Sequence, residues 1–488
     1  MKRLMQYTVF IAFFCCSNAS AQEESREGWI SVIWGDHHAG EAAESLIKIM
    51  FSDADQTMQL IFDDGLLKSL GGIQNLNARN AQISGISDFQ ENGLHFFWVT
   101  AVWFPKEFRT PLDLSGSQPW ISLPMKFLDI AEEPENQTFF QNMYANTPGG
   151  LDHFWREVSY DQIDVVGSTA TNWYTLPQNQ SFYVSTPGSG TTANLSALFD
   201  DTISTVDTTV NFSESGSGGP YAGINMMFNG LLDCCAWGGS RFATIDGVTK
   251  SWRVTWEPPW GYADEAVIAH EMGHGFGLPH ANNFDGDTSP YDNPWDVMSA
   301  AQGYTVSHGT YGRLGKHVCA YHKDILGWYP AGNILTLTNQ GTHELTLDHA
   351  ALSSTPNYLA VKIPYGTGPE TFYMVETRKQ VGNYDGNVPA NAVLIYQVVT
   401  NRSEPAWLFD EDNPPADYAD NPGSYWVVGE TFIDNTNEIS ISVLQETTDG
   451  FVISVQLGDC DPIQDLLDNL ENWPTLNVLD LLGIFDCF

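Results

Sequence analysis

Basic residues are scarce in this chain: 20 Lys and Arg stand against 60 Asp and Glu, a formal charge of −40 over 488 residues. A field of that sign repels nucleic acid and anionic membrane and excludes both as partners. It suits Ca²⁺ or cationic ligands, or a saline habitat in which ions screen the self-repulsion. Long apolar runs are missing as well. The stretch from Leu4 to Cys16 is too short to span a bilayer, so no stable membrane insertion is expected. Lying between Lys2-Arg3 and the small residues Ala19-Ser20-Ala21, it reads as a signal peptide cleaved after Ala21, which predicts secretion. Cysteine is sparse too. Cys15 and Cys16 leave with the signal, and Cys234, Cys235, Cys319, Cys460 and Cys487 remain. An odd set allows two bridges and one leftover thiol. The expected pairs are Cys460 with Cys487, and Cys319 with either Cys234 or Cys235. An aromatic content of 13% argues against disorder despite the charge.

What the chain does contain is HEMGHGFGLPH at 270–280. On a helix, His270 and His274 lie on one face and can converge on one metal ion. Gly277 can end that helix with a left-handed turn and bring His280 round as a third ligand. Three neutral imidazoles leave the fourth tetrahedral position of Zn²⁺ open to water, the arrangement of a catalytic site. Glu271 would then act on that water as general base. Upstream, Asp264 reads as the N-cap, and Val267, Ile268 and Met272 as residues packing the helix into a core. Gly273 and Gly275 indicate either close approach of other groups or a helix about to end.

The spacing His-Glu-x-x-His-x-x-Gly-x-x-His, followed by Pro294-Trp295-Asp296-Val297-Met298-Ser299, resembles a metzincin zinc peptidase with its Met-turn. LDHFWREVSYDQIDVVGS (151–168), YDNPWDVMSA (291–300), HKDILGWYP (322–330), FYMVETRKQVGNYDG (372–386) and AVLIYQVV (392–399) are similar to the gametolysin-like and immune inhibitor A-like secreted metallopeptidases. The likeness covers roughly residues 119–400, and within it only the zinc motif is highly specific. The resemblance implies zinc ligands at His270, His274 and His280, the general base at Glu271, and Met298 as a hydrophobic floor beneath the metal. It implies an α+β catalytic domain, a twisted and mostly parallel sheet with helices. Branches with a tyrosine ligand carry it two residues after the methionine; here that residue is Ala300, so no tyrosine ligand is expected. No cysteine lies between Gln22 and the catalytic region, which argues against a cysteine-switch propeptide. The implied activity is zinc-dependent hydrolysis of protein or peptide substrates outside the cell. Two alternatives stand beside it. One is a catalytically silent zinc-binding adhesion or interaction protein; the other is a His-Glu-x-x-His enzyme using a distant Glu in place of His280.

Composition along the chain divides it further. Residues 22–105 read as a small β-rich unit, a barrel being one arrangement, serving as pro-domain, accessory module or packing domain. Asp36, His37 and His38 within it read as polar residues of a surface loop, with capping of the metal as the alternative. A Pro- and Ser-rich linker (106–119) leads to the catalytic region at 120–330. There Trp120–Asp129 reads as a strand, and Thr138–Ala145, Gly150–Val158 and Ala193–Val206 as helices. Tyr221–Asn229 is expected to be a strand bordering the substrate cleft, where a peptide adds as a further strand. Gly230–Pro259 reads as a loop whose Trp237, Trp252 and Trp256 either line pockets or bury apolar surface. Asp285-Gly286-Asp287 with Asp292 is either a solvated acidic loop or a Ca²⁺ site. Residues 331–458 carry seven β-like runs and predict a β-sandwich, with Glu376 and Arg378 as a structural ion pair. The tail, 459–488, is a disulfide-closed cap or a surface anchor.

Overall fold

Apolar residues alternate through Ile30, Val32 and Trp34, and the residues between them are small or apolar as well. A strand so built can bury both faces. In the computed structural model this segment does so. The structure describes residues 23–38, 46–54, 56–91, 94–105, 114–284, 289–366, 371–409 and 422–458. Five strands come first: β1 (Glu24–His37), β2 (Leu46–Ser52), β3 (Thr57–Ile61), β4 (Arg79–Glu91) and β5 (Leu94–Trp103). They pair in the order β1-β2-β3-β5-β4 and β4 returns to β1, closing a barrel. Ile30, Val32, Trp34, Phe51, Leu60 and Phe97 fill it. Ile33, on the other face of β1, belongs to the neighbouring core with Met226 and Trp237.

That second core lies on a sheet built from β6 (Trp120–Lys126), β7 (Gly223–Phe228), β8 (Cys235–Ile245) and β9 (Val248–Glu257). Its order is β6-β7-β9-β8-β1, so β1 joins it to the barrel as one 11-stranded sheet. β6, β7 and β9 run parallel, while β8 is antiparallel to both β9 and β1. Helices Gln137–Asn142, Leu151–Val158 and Leu195–Val206 form on the stretches that predicted them.

Three expectations are corrected here. The α+β class does not hold: strands make up 39% and helices 16%, with a closed five-stranded barrel, so the molecule is β-rich. The segment read as a loop at 230–259 is largely the β8–β9 hairpin. Trp252, Val254 and Trp256 alternate as a half-buried strand should and all sit in the core, but Gly238-Gly239 masked the matching pattern on β8. Finally, β7 does not border a cleft, because β6 and β9 flank it on both sides. The strand outside β9 is β8, and its free side is taken by β1.

Ala281–Asn283, directly after His280, pairs with Ala406–Leu408 at the edge of a six-stranded sheet. That sheet continues through Ala392–Val399, Thr371–Arg378 and Ala360–Pro364. Its Val375 and Ile395 pack with Ile441 and Ile453 from a four-stranded sheet. Arg378 is fully buried, 3.1 Å from Glu376 and 3.0 Å from Asp385, so the ion pair is structural. Cys234 and Cys235 bond to each other and Cys319 is free, contrary to the expected cross-link. No helix among the described residues is long and apolar enough to cross a membrane. The signal peptide, most of the linker, Asp285–Asp287 and the tail with Cys460 and Cys487 lie outside the described residues.

Candidate metal centre

Helix α1 (Glu265–Gly275) carries the motif and is buried along its whole length. Its entry differs from the sequence reading. Asp264 occupies the N-cap but makes no capping bond. Its carboxylate accepts instead from the Arg313 amide at 2.8 Å and the Gln302 side-chain amide at 2.6 Å. Burial is tight enough that glycine is required. A Cβ on Gly273 would stand 2.4 Å from the Met298 sulfur, and one on Gly275 would stand 2.8 Å from Trp120. Both glycines therefore mark close approach. At the far end Gly277 takes φ 92°, the left-handed turn that redirects the chain toward His280.

The three imidazoles converge. His270 Nδ1 donates to the Val297 carbonyl at 2.6 Å and His274 Nδ1 to the Leu278 carbonyl at 2.7 Å. Each carbonyl holds the proton on Nδ1 and leaves the Nε2 lone pair aimed inward. The two Nε2 atoms are 3.0 Å apart. His280 brings its own Nε2 into the same group, and all three side chains are essentially unexposed. Met298 is fully buried against α1, and its loop supplies the Val297 carbonyl that orients His270.

A fourth group arrives from far away in sequence. Asp36, near the end of β1, reaches the histidines with Oδ1 2.7 Å from His280 Nε2 and 3.1 Å from His270 Nε2. Its Oδ2 lies 3.2 Å from His274 Nε2. The surface-loop reading of Asp36 is thus wrong. The strand runs on through it, and the two-residue period puts it on the same side as Trp34, whose ring stacks on His274 at 4.9 Å. His37 is half-buried and His38 exposed, and neither joins the cluster. Tyr291 donates to Asp36 at 3.0 Å and fixes the carboxylate from the side. Burial opposes the charge on Asp36, but His270, His280 and His274 together hold its carboxyl well below the usual range.

Ligand atoms bound to zinc at about 2.0–2.2 Å stand roughly 3.3 Å apart along the edges of a tetrahedron. The Asp36 oxygens stand 2.7 to 3.2 Å from the three histidine Nε2 atoms, near that edge length. Asp36, His270, His274 and His280 thus form a buried group that could hold a metal ion.

Glu271 sits beside this group with no exposure, its carboxyl against Asp36 and reached by no N–H donor. Burial, with the charges of Asp36 and Glu257 added, pushes its carboxyl well above the usual range. Glu257 on β9 is likewise buried and is raised to about 8, mainly by burial. A buried carboxyl that no N–H group reaches is costly, by about 1–3 kcal/mol. A cleft of about 170 Å³ opens alongside, between Trp260, Val267, Glu271, His270 and the backbone at 299–303.

β8 passes directly behind this carboxyl. A Cβ on Gly238 would meet the Glu271 carbonyl oxygen at 2.4 Å and its Oε2 at 2.7 Å. Gly238→Ala should therefore displace α1 or β8 and destabilise the fold by about 1–3 kcal/mol. Thermal unfolding followed by circular dichroism would read this as a lowered midpoint, and an unchanged midpoint would mean that the close packing is not needed.

A scan against models of known protein families gives no match for this chain, and a search of curated proteins gives none either.

Proposed function

We propose that this chain is a secreted zinc-dependent endopeptidase, held by its own N-terminal strand in a latent form. The observation that carries the reading is Glu271: a fully buried carboxyl that no N–H donor reaches, next to three imidazoles whose ligand nitrogens converge. A bound zinc ion would polarise a scissile carbonyl and acidify a water molecule. The remaining work falls to the protein. The Val297 and Leu278 carbonyls keep His270 and His274 in the binding tautomer. Glu271 takes the proton of the attacking water and returns it to the departing amine.

Latency is supported by two features of β1. Asp36 stands where a catalytic site needs water, and the backbone from Ile33 to His37 pairs with Gly239 to Cys235 on the side of β8 that an extended peptide would use. Activity therefore requires Asp36 to leave the metal position, and full access for protein substrates requires β1 to leave β8.

A second reading has its own support. Four protein ligands make a closed site, and closed sites are structural. A silent zinc-binding interaction protein would look the same at Asp36 but would have no use for Glu271.

Two measurements test the main reading. His280→Ala should lower metal affinity by more than about 100-fold; retention of metal at the parental affinity would point to a distant Glu as third ligand. A mixed peptide library incubated with an activated form should be cleaved, and a zinc chelator should abolish the cleavage. Chelator-insensitive cleavage would remove the proposal.

A further inference from the structure

The Met-turn is held from its other side by a second buried group. Asp296, two residues before Met298, accepts from the Met298 amide at 2.8 Å through Oδ1 and from the Cys319 amide at 3.0 Å through Oδ2. Cys319 is the N-cap of helix α2 (Ala320–Ile325), and His322 lies three residues on, so both side chains share one face. His322 Nδ1 is 3.6 Å from Asp296 Oδ2. One ligand atom each from Asp296, Cys319 and His322 falls within 4.8 Å of the others, and all three residues are unexposed.

The telling member is His322. Neither of its ring nitrogens has a hydrogen-bond partner. A neutral imidazole always carries one N–H and one lone pair, and buried groups of that kind are rarely left unsatisfied. The adjoining carboxylate is too distant for a hydrogen bond, yet 3.6 Å is close to the edge of a zinc tetrahedron, roughly 3.3 Å. Thiol, imidazole and carboxylate are the three side-chain types that zinc takes. Tyr396 packs in the same cluster as Cys319, and its hydroxyl oxygen also lacks a partner.

We propose that Asp296, Cys319 and His322 bind a second divalent ion of zinc type, which ties the Met-turn to α2 and is structural. Binding converts the Cys319 thiol to a thiolate and releases one proton to solvent. The site contains sulfur, whereas the Asp36–His270–His274–His280 group contains none. Its existence does not depend on peptidase activity.

That difference in ligands supplies the test. Full-length protein is stripped of metal, reloaded with Zn²⁺ and analysed for metal content, then reloaded with Co²⁺ and examined by absorption spectroscopy. Two zinc ions per chain are expected, falling to one in Cys319→Ser and to one in His274→Ala. The cobalt form should show a sulfur-to-metal charge-transfer band that persists in His274→Ala and vanishes in Cys319→Ser. Should Cys319→Ser fail to fold, the band and the metal count of the unaltered chain still decide. One metal per chain with no sulfur band would overturn the proposal and leave Cys319 as a thiol hydrogen-bonded to Asp296. One metal with the sulfur band would keep this site and remove the peptidase centre instead. No bound metal at all would remove both.

Discussion

Asp36→Ala should switch the full-length chain on. With the carboxylate gone, three histidines still hold the metal and a water molecule takes the fourth position. If Asp36 keeps the open fraction near 1%, its loss raises the rate on a short peptide by about 100-fold. The gain on folded protein substrates should be smaller, because β1 still lies along β8 through its backbone. This contrast would separate the two parts of the proposed inhibition, the side chain at the metal position and the strand along the cleft. Asp36→Asn, which keeps the shape but weakens the ligand, should fall between. Metal content is measured alongside. Full metal with no gain in hydrolysis would favour the silent, structural reading of the site.

The second large effect is expected at Glu271, measured in the Asp36→Ala background so that there is activity to lose. Glu271→Gln retains the volume and removes the base. Proton transfer by a positioned side chain contributes about 10²–10⁴-fold, so turnover should drop by at least that factor while bound metal stays unchanged. The fall should appear in kcat, since Glu271 acts in the transition state and not in holding the substrate. Hydrolysis at the rate of the Asp36→Ala protein would exclude Glu271 as general base. The stability of the variant is informative as well. Because burial disfavours the charged form of Glu271, the neutral amide should be tolerated without unfolding.

What was legible in the sequence lay close together along the chain. Residues 270–280 carry a helix with His270 and His274 one turn apart, a turn at Gly277 and then His280, and local geometry alone brings them near. The glycines at 273, 275 and 277 could be read for the same reason: each serves a contact or a turn set by the backbone around it. Strands of the C-terminal sheets were visible through their alternation. The β8–β9 hairpin was hidden because Gly238-Gly239 breaks the pattern where β1 and α1 crowd in, so the residues demanded by tertiary packing erased the local signal.

Asp36 marks the boundary between the two kinds of knowledge. By itself the sequence determined that His270, His274 and Glu271 share a helix and that residues 22–105 are β-rich, since both follow from a repeat of 3.6 or 2 residues. It also offered the clue that Asp36 continues the phase of Ile30, Val32 and Trp34. It could not say which surface that face meets. Only the tertiary structure decided this, by pairing β1 with β2 along one edge and, along the other, with β4 in its first half and β8 in its second. With both edges of β1 satisfied, its side chains have fixed directions, and the 244-residue separation between Asp36 and His280 becomes a 2.7 Å contact. Strand pairing between distant segments is chosen by the sum of many contacts, which no local pattern encodes, and that is why a three-histidine motif in the sequence becomes a buried four-residue group in the fold.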